Sequence, residues 1–196
     1  MRLALGCLAS GSSGNSYLVK SDSTSILVDA GISGKKILER LNLFGVSGCP
    51  DGVLITHEHT DHIQGLPALL KKGVRVYANE RTASAIFKSS AQSCYLPITT
   101  GETFCIGDIK VSSFPVSHDA AEPVGFSFER EGACISIVTD TGFVNDESFF
   151  FMKKADLLVL ESNHDESMIS RSPLLSRKKQ SVSLVLKLGY SPRFTA

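Results

Sequence analysis

Three of the five histidines lie within six residues of one another, in the segment Thr56-His57-Glu58-His59-Thr60-Asp61-His62. Imidazole nitrogens and carboxylate oxygens are the ligand types that zinc and related divalent ions prefer. The segment follows an apolar run, residues 52–56, that predicts a strand. We therefore expect a loop that leaves a sheet and turns its side chains toward one side, where they can bind metal.

One short loop cannot complete two metal sites, so further ligands must come from the ends of other predicted strands. His118 follows the predicted strand at residues 109–114, and Asp140 follows the one at residues 134–139. Each residue has an alternative role. His118 could be a hydrogen-bonded structural histidine, and Asp140 could belong to a simple Asp-Thr-Gly turn. Next to the histidine cluster, a ligand role is favoured for His118, whereas both roles stay open for Asp140.

The elements that must position these residues are mixed. Short β-rich runs at residues 3–8, 16–20, 25–28 and 52–56 predict a half-buried sheet, with a hairpin turn at residues 11–16. Helical spacing predicts helices at 33–44 and 64–72 and, after a strand at 74–78, one capped by Asn79 that runs to residue 90. An antiparallel meander follows from residue 103, then a helix at 144–154 and a strand at 155–161. Without strict βαβ alternation, we expect an αββα sandwich of four layers.

Composition places the chain among ordinary globular proteins. Its 196 residues suit one core, and 42% apolar with 20% charged residues argues against a disordered or fibrous chain. The formal net charge is zero, so a polyanionic substrate must be gripped locally. Five scattered cysteines without a C-x-x-C pair favour a reducing cytoplasm. The apolar stretch at the amino end is shorter than a signal peptide needs, and no run could span a bilayer, so we expect a soluble protein.

Four stretches resemble the metallo-β-lactamase superfamily and, more closely, its YycJ/WalJ-type subgroup. The Thr-His-x-His-x-Asp-His motif alone is typical of the superfamily, whereas the combination is more specific. The stretches are Gly11-Ser-Ser-Gly-Asn-Ser16, Thr56-His-Glu-His-Thr-Asp-His-Ile63, Val116-Ser-His-Asp-Ala-Ala-Glu-Pro-Val-Gly125 and Leu160-Glu-Ser-Asn-His-Asp165.

This resemblance implies an αββα fold of the metallo-β-lactamase type with two divalent ions, zinc or manganese, in a cleft at one sheet edge. It implies that His57, His59 and His118 hold one ion, that Asp61 and His62 contribute to a second, and that Asp140 bridges both. A metal-bridging hydroxide would attack the substrate, and Asp61 would orient it as the catalytic carboxylate.

Asp29 follows the predicted strand at residues 25–28. We expect its carboxylate to lie behind a ligand histidine and to fix that histidine's tautomer. The alternative is a plain turn aspartate.

The carboxyl-terminal residues depart from the subgroup. We assign residues 1–168 to the domain and residues 169–196 to a divergent, basic, serine-rich tail, truncated relative to the family. The resemblance implies a further histidine that completes the second metal site, but no histidine follows His164. We expect a weaker second ion and reduced activity. His164 could replace the missing ligand, or it could lie behind the ligands or in the substrate cleft.

Three classes of function remain. The subgroup resemblance implies a phosphodiesterase, a DNA exonuclease working from a 5′ end, with nucleic acid as its partner and no membrane association. The shared loop motif serves thioester or lactone hydrolases of the glyoxalase type equally well. With an incomplete second site, the chain could also be a catalytically impaired binding module or fragment.

Overall fold

The computed structural model describes residues 3–87 and 92–160, which form two sheets and five α-helices. The first sheet has the strand order β1 to β6, with β1, β2 and β3 antiparallel and β3 to β6 parallel. Its strands are β1 (Ala4–Ala9), β2 (Ser16–Lys20), β3 (Ser25–Val28), β4 (Gly52–Leu54), β5 (Val76–Ala78) and β6 (Tyr95–Pro97).

The second sheet has the order β11-β10-β9-β8-β7, in which only the β10–β11 pair is parallel. Its strands are β7 (Thr103–Ile106), β8 (Ile109–Pro115), β9 (Val124–Arg130), β10 (Ala133–Val138) and β11 (Leu157–Leu160). The helices are α1 (Gly34–Leu43), α2 (Thr60–Ile63), α3 (Leu66–Leu70), α4 (Glu80–Ile86) and α5 (Asp146–Lys154).

The alternation of side chains along the strands creates the layers. Val19 and Ile26 point between the sheets, where they pack in one buried cluster with Phe126 and Ile137 of the second sheet. Leu18, Leu27 and other residues of the opposite face of the first sheet pack against α1, α3 and α4. On the outer face of the second sheet, Phe151 of α5 stacks on Phe114, with ring centroids 4.6 Å apart. The predicted αββα sandwich is therefore confirmed.

Most predicted elements are present, with shifted ends. The helix predicted at residues 33–44 is α1, with Ser33 at its N-cap position. Asn79 caps α4 as predicted, because its side-chain oxygen accepts a hydrogen bond from Thr82 N at 2.9 Å. That helix ends at Ile86, and residues 88–91 lie outside the described chain.

One prediction was wrong, and one predicted helix is shorter than expected. The metal-binding segment is not loop throughout, because Thr60–Ile63 forms the short helix α2. The helix predicted at residues 64–72 is only Leu66–Leu70, since Gly65 separates it from α2 and Pro67 stands in its first turn. Strand β6 was not predicted. It has only three residues and ends in Pro97, which a sheet accepts at its edge.

No helix in the described ranges is long and apolar enough to cross a membrane.

The parallel strands β3 and β4 end at the same edge of the first sheet, while β8 and β10 of the second sheet end at residues 115 and 138. The segments that leave these four strands carry the predicted site residues.

Candidate metal centre

Four histidine rings converge where these strands end. The ring centroid of His57 lies 4.6 Å from that of His59, 4.0 Å from that of His62 and 4.7 Å from that of His118. Asp140, which follows β10, approaches from the second sheet, with Oδ2 2.7 Å from His62 Nε2. Residues from three separate strand ends thus meet as the sequence predicts.

The first group of ligand atoms belongs to His57, His59 and His118, all within 4.8 Å of one another. His59 Nδ1 and His118 Nε2 are 3.2 Å apart. Two nitrogens bound to one tetrahedral ion at about 2.0–2.1 Å would lie roughly 3.3–3.4 Å apart. The observed spacing therefore fits a shared ion with little rearrangement.

The second group consists of His57, His62 and Asp140. His57 Nε2 lies 3.7 Å from Asp140 Oδ2, so this histidine borders both groups. The prediction assigns His57 to the first ion, together with His59 and His118. Asp61 lies beside the second group, with Oδ2 3.6 Å from His62 Nε2, but it is not a member of either three-residue group.

His57 Nε2 is buried and has no hydrogen-bond partner among the described residues. A buried polar atom without a partner is rare, because it loses its hydration without compensation. Here the atom is a nitrogen that points into a cluster of ligand-type atoms. The site therefore fits a divalent cation, and this nitrogen is the observation that favours one.

A single buried carboxylate orients two of the histidines. Asp29 Oδ2 lies 2.7 Å from His62 Nδ1 and accepts a hydrogen bond from Thr56 Oγ1 at 2.8 Å, while Oδ1 accepts from Thr56 N at 2.8 Å. Thr56 Oγ1 also lies 3.0 Å from His57 Nδ1. Since the threonine hydrogen is given to Asp29, His57 Nδ1 must donate to the threonine oxygen. Both rings then carry their hydrogen on Nδ1 when neutral, which leaves both Nε2 atoms free to bind a cation.

The predicted position of Asp29 behind a ligand-type histidine therefore agrees with the geometry. The backbone at both aspartates is unusual: Asp29 has φ of 58° and Asp140 has φ of 45°. Aspartate tolerates this left-handed conformation better than most residues. Both side chains are held in place by the histidine hydrogen bonds that the turns make possible.

Burial and neighbouring charges shift the histidine pKa values in opposite directions. Burial, followed by the charge of His62, lowers the pKa of His57 from 6.5 to about 2. Burial also opposes the charged form of His62, but Asp29 and Asp140 outweigh it and raise the pKa of His62 to about 10. Burial lowers the pKa of His118. For Asp140, burial raises the pKa, and the hydrogen bond and charge of His62 outweigh it, so the pKa is lowered.

Close backbone contacts hold the loops of the site together. Asn15 N donates to Asp61 O at 2.8 Å, and Gly31 N donates to Asn15 O at 2.8 Å. A Cβ on Gly31 would lie 1.7 Å from Asp61 O, so only glycine fits there. Glu58 Oε1 accepts a hydrogen bond from Ala121 N at 2.8 Å, which ties the metal-binding segment to the loop after His118.

Sequence reasoning missed two residues of the site, Thr56 and Asn15. Thr56 is 1% exposed and lies between Asp29 and His57. Asn15 is also 1% exposed, and its Nδ2 lies 3.2 Å from His62 Nε2. They were missed because neither side chain is ionisable. The signal that could have found them is their position inside the motifs at residues 11–16 and 56–63. His164, a candidate for the second site or the cleft, lies outside the described residues.

Comparison with known proteins agrees with this geometry. The family model described as "Beta-lactamase superfamily domain" matches residues 24–193. The exodeoxyribonuclease YycJ of Bacillus anthracis is 42% identical over 178 residues, which cover 86% of this chain and 66% of the relative. The exodeoxyribonuclease WalJ of Streptococcus pneumoniae is 39% identical over 186 residues, which cover 89% of this chain and 68% of the relative. The chain thus spans about two thirds of the length of these relatives.

Among solved structures, a diphosphatase from the PhnP family superposes with a TM-score of 0.66 at 24% sequence identity, covering 81% of this chain and 72% of that one. At this identity the likeness establishes the fold alone. The family match and the two relatives show that this chain belongs to the metallo-β-lactamase superfamily.

Proposed function

We propose that this chain is a metal-dependent phosphodiesterase that releases nucleotides from a DNA end, working from the 5′ end. The observation that carries the proposal is the unpartnered, buried His57 Nε2 between two groups of ligand-type atoms. The substrate class is supported by the names of two relatives, which are exodeoxyribonucleases about 40% identical to this chain.

Under this proposal His57, His59 and His118 hold one divalent ion. His62 and Asp61 hold the second, and Asp140 lies between the two. Nitrogen and carboxylate donors suit both zinc and manganese. When bound, the ions supply acidified water near neutral pH and offset the negative charge that develops on phosphate.

The chain's own residues position the reactants. The Asp61 side chain is 37% exposed, so its carboxylate can reach both the second group and solvent. We assign it the role of orienting the attacking water. Asp29, fully buried, keeps His62 in the tautomer that offers Nε2 to a cation. The carboxylate of Asp29 therefore acts through the histidine and not on the substrate.

The location and the carboxyl-terminal assignment follow from sequence features. Five scattered cysteines without a C-x-x-C pair favour a cytoplasmic location. We retain the domain boundary after residue 168 as a proposal, although the family match extends to residue 193.

The test uses single- and double-stranded DNA labelled at either end, a thioester and a lactone, each with added manganese or zinc. We expect release of nucleotides from the 5′ end and its loss in His59→Ala. Gln64→Ala, an exposed change close to the same segment, is the matched control and should retain activity.

The alternatives give different results. Turnover of only the thioester or the lactone would assign the chain to carbonyl hydrolysis and remove the nuclease. Salt-sensitive DNA binding without cleavage would favour an impaired binding module.

A further inference from the structure

Asn15 is buried, and the surrounding backbone uses nearly all of its hydrogen-bonding groups. Its backbone N–H donates to Asp61 O, and its backbone carbonyl accepts from Gly31 N, both at 2.8 Å. Its side-chain Oδ1 accepts from Gly11 N at 2.9 Å. Because Gly11 N–H can only donate, the contact fixes which end of the amide is oxygen. The Nδ2 group is left with two hydrogens to donate.

This Nδ2 faces the candidate metal centre, 3.2 Å from His62 Nε2. In the neutral ring, with its hydrogen on Nδ1, the Nε2 lone pair can accept one of these two hydrogens, but it is also the lone pair that a cation would take, and Asp140 Oδ2 lies 2.7 Å away. When Nε2 carries a hydrogen and donates to Asp140, or when its lone pair is directed at a cation, it no longer accepts from Asn15. In both states the described residues offer the Asn15 N–H groups no oxygen within hydrogen-bond distance. Buried donors are seldom left in this way.

We propose that Asn15 Nδ2 donates a hydrogen bond to an anionic oxygen of the substrate, which is a non-bridging phosphate oxygen if the function proposed above holds. Asn15 is already held by the hydrogen bonds of its backbone N–H, its backbone carbonyl and Oδ1, so its neutral side chain needs no rearrangement to donate to this anionic oxygen. Such a donor stabilises a transition state more than a ground state, because charge builds up on that oxygen during attack. Asn15 would then be a catalytic residue.

Two variants and a control separate this role from mere support of His62. Asn15→Ala removes the donor, whereas Asn15→Asp keeps an acceptor for Gly11 N and replaces the donor with oxygen. Ser13→Ala changes an exposed residue of the same turn. We expect kcat on DNA to fall about 100-fold in both Asn15 variants, as for loss of one oxyanion donor, and to be unchanged in the control. Metal content should match that of the wild type.

A second readout is a DNA end with one phosphorothioate of defined configuration, because sulfur is a weaker hydrogen-bond acceptor than oxygen. In Asn15→Ala, the slowing caused by sulfur should shrink for one diastereomer only. Equal slowing of both, loss of bound metal, or wild-type kcat would each overturn the proposal. If Asn15→Ala does not fold, the same comparison is made with Asn15→Asp.

Titration of inorganic phosphate into the metal-loaded proteins distinguishes failure of this inference from failure of the nuclease. If the wild type does not cleave DNA, the proposed function fails, and the titration still tests Asn15. Binding at least tenfold weaker in the Asn15 variants than in Ser13→Ala would support the donor role. Equal binding would refute it.

Discussion

Replacing Asp29 with asparagine should weaken cation binding at the group formed by His57, His62 and Asp140. The Asp29 carboxylate accepts three hydrogen bonds, two from Thr56 and one from His62 Nδ1. Asparagine can keep the bond from Thr56 N with its oxygen, but it then places an NH₂ group against two donors. The His62 ring avoids this contact between two donors by moving its hydrogen from Nδ1 to Nε2, which removes the lone pair that a cation needs.

Changes to residues behind metal-binding histidines typically cost about 10- to 100-fold in affinity, or about 1.4–2.8 kcal/mol. We expect a loss in this range for the second ion, measured by calorimetric titration of manganese or zinc into metal-free protein. Asp51→Asn is the matched control, because Asp51 accepts hydrogen bonds from Ser25 at the opposite ends of β3 and β4. Two ions bound with wild-type affinity in Asp29→Asn would refute the reasoning.

Three further predictions concern stability. Gly31→Ala should destabilise the protein by more than about 3 kcal/mol in urea, since its Cβ would overlap Asp61 O. Gly73→Ala, with φ of +75° and no heavy atom of the described residues within 4 Å, should cost only about 1 kcal/mol; equal losses would contradict this. In metal-free protein, the raised pKa of His62, near 10, contributes to the free energy of unfolding below pH 6.5, and this contribution is lost as the pH rises toward 10. The lowered pKa of His57, near 2, acts in the opposite direction: its contribution is present above pH 6.5 and is lost as the pH falls. Urea titrations should therefore show a maximum near pH 6.5, and a flat profile from pH 5 to 9 would be the contrary result. Chelation should lower the melting temperature and manganese or zinc should restore it; a melting temperature indifferent to metal would argue against the site.

The layers can be predicted from the sequence because the spacing of apolar residues along a helix or strand shows which of its faces is buried. Helix α1 buries Ile37 and Leu41 at helical spacing, so its periodicity is readable. Helix α2 spans only four residues, too few for a period to appear, and it forms because tertiary contacts hold it. Strand β6 was missed for the same reason of length.

The convergence of His59, His118 and Asp140 was predictable because each follows a strand, and strand ends meet at sheet edges. What was not predictable is how closely the loops approach one another. The position of His57 beside both ligand groups, and the burial of Asn15 against His62, depend on contacts between segments far apart in the chain. No local pattern encodes such distances.

Anomalous diffraction from crystals grown with manganese or zinc is the most direct test of the metal centre. With zinc, we expect a strong anomalous peak about 2.0–2.1 Å from His57 Nε2, His59 Nδ1 and His118 Nε2. A second peak is expected beside His62 and Asp140. Density that shows these histidines hydrogen-bonded to one another or to water, with no anomalous peak between them at saturating metal, would contradict the proposed centre.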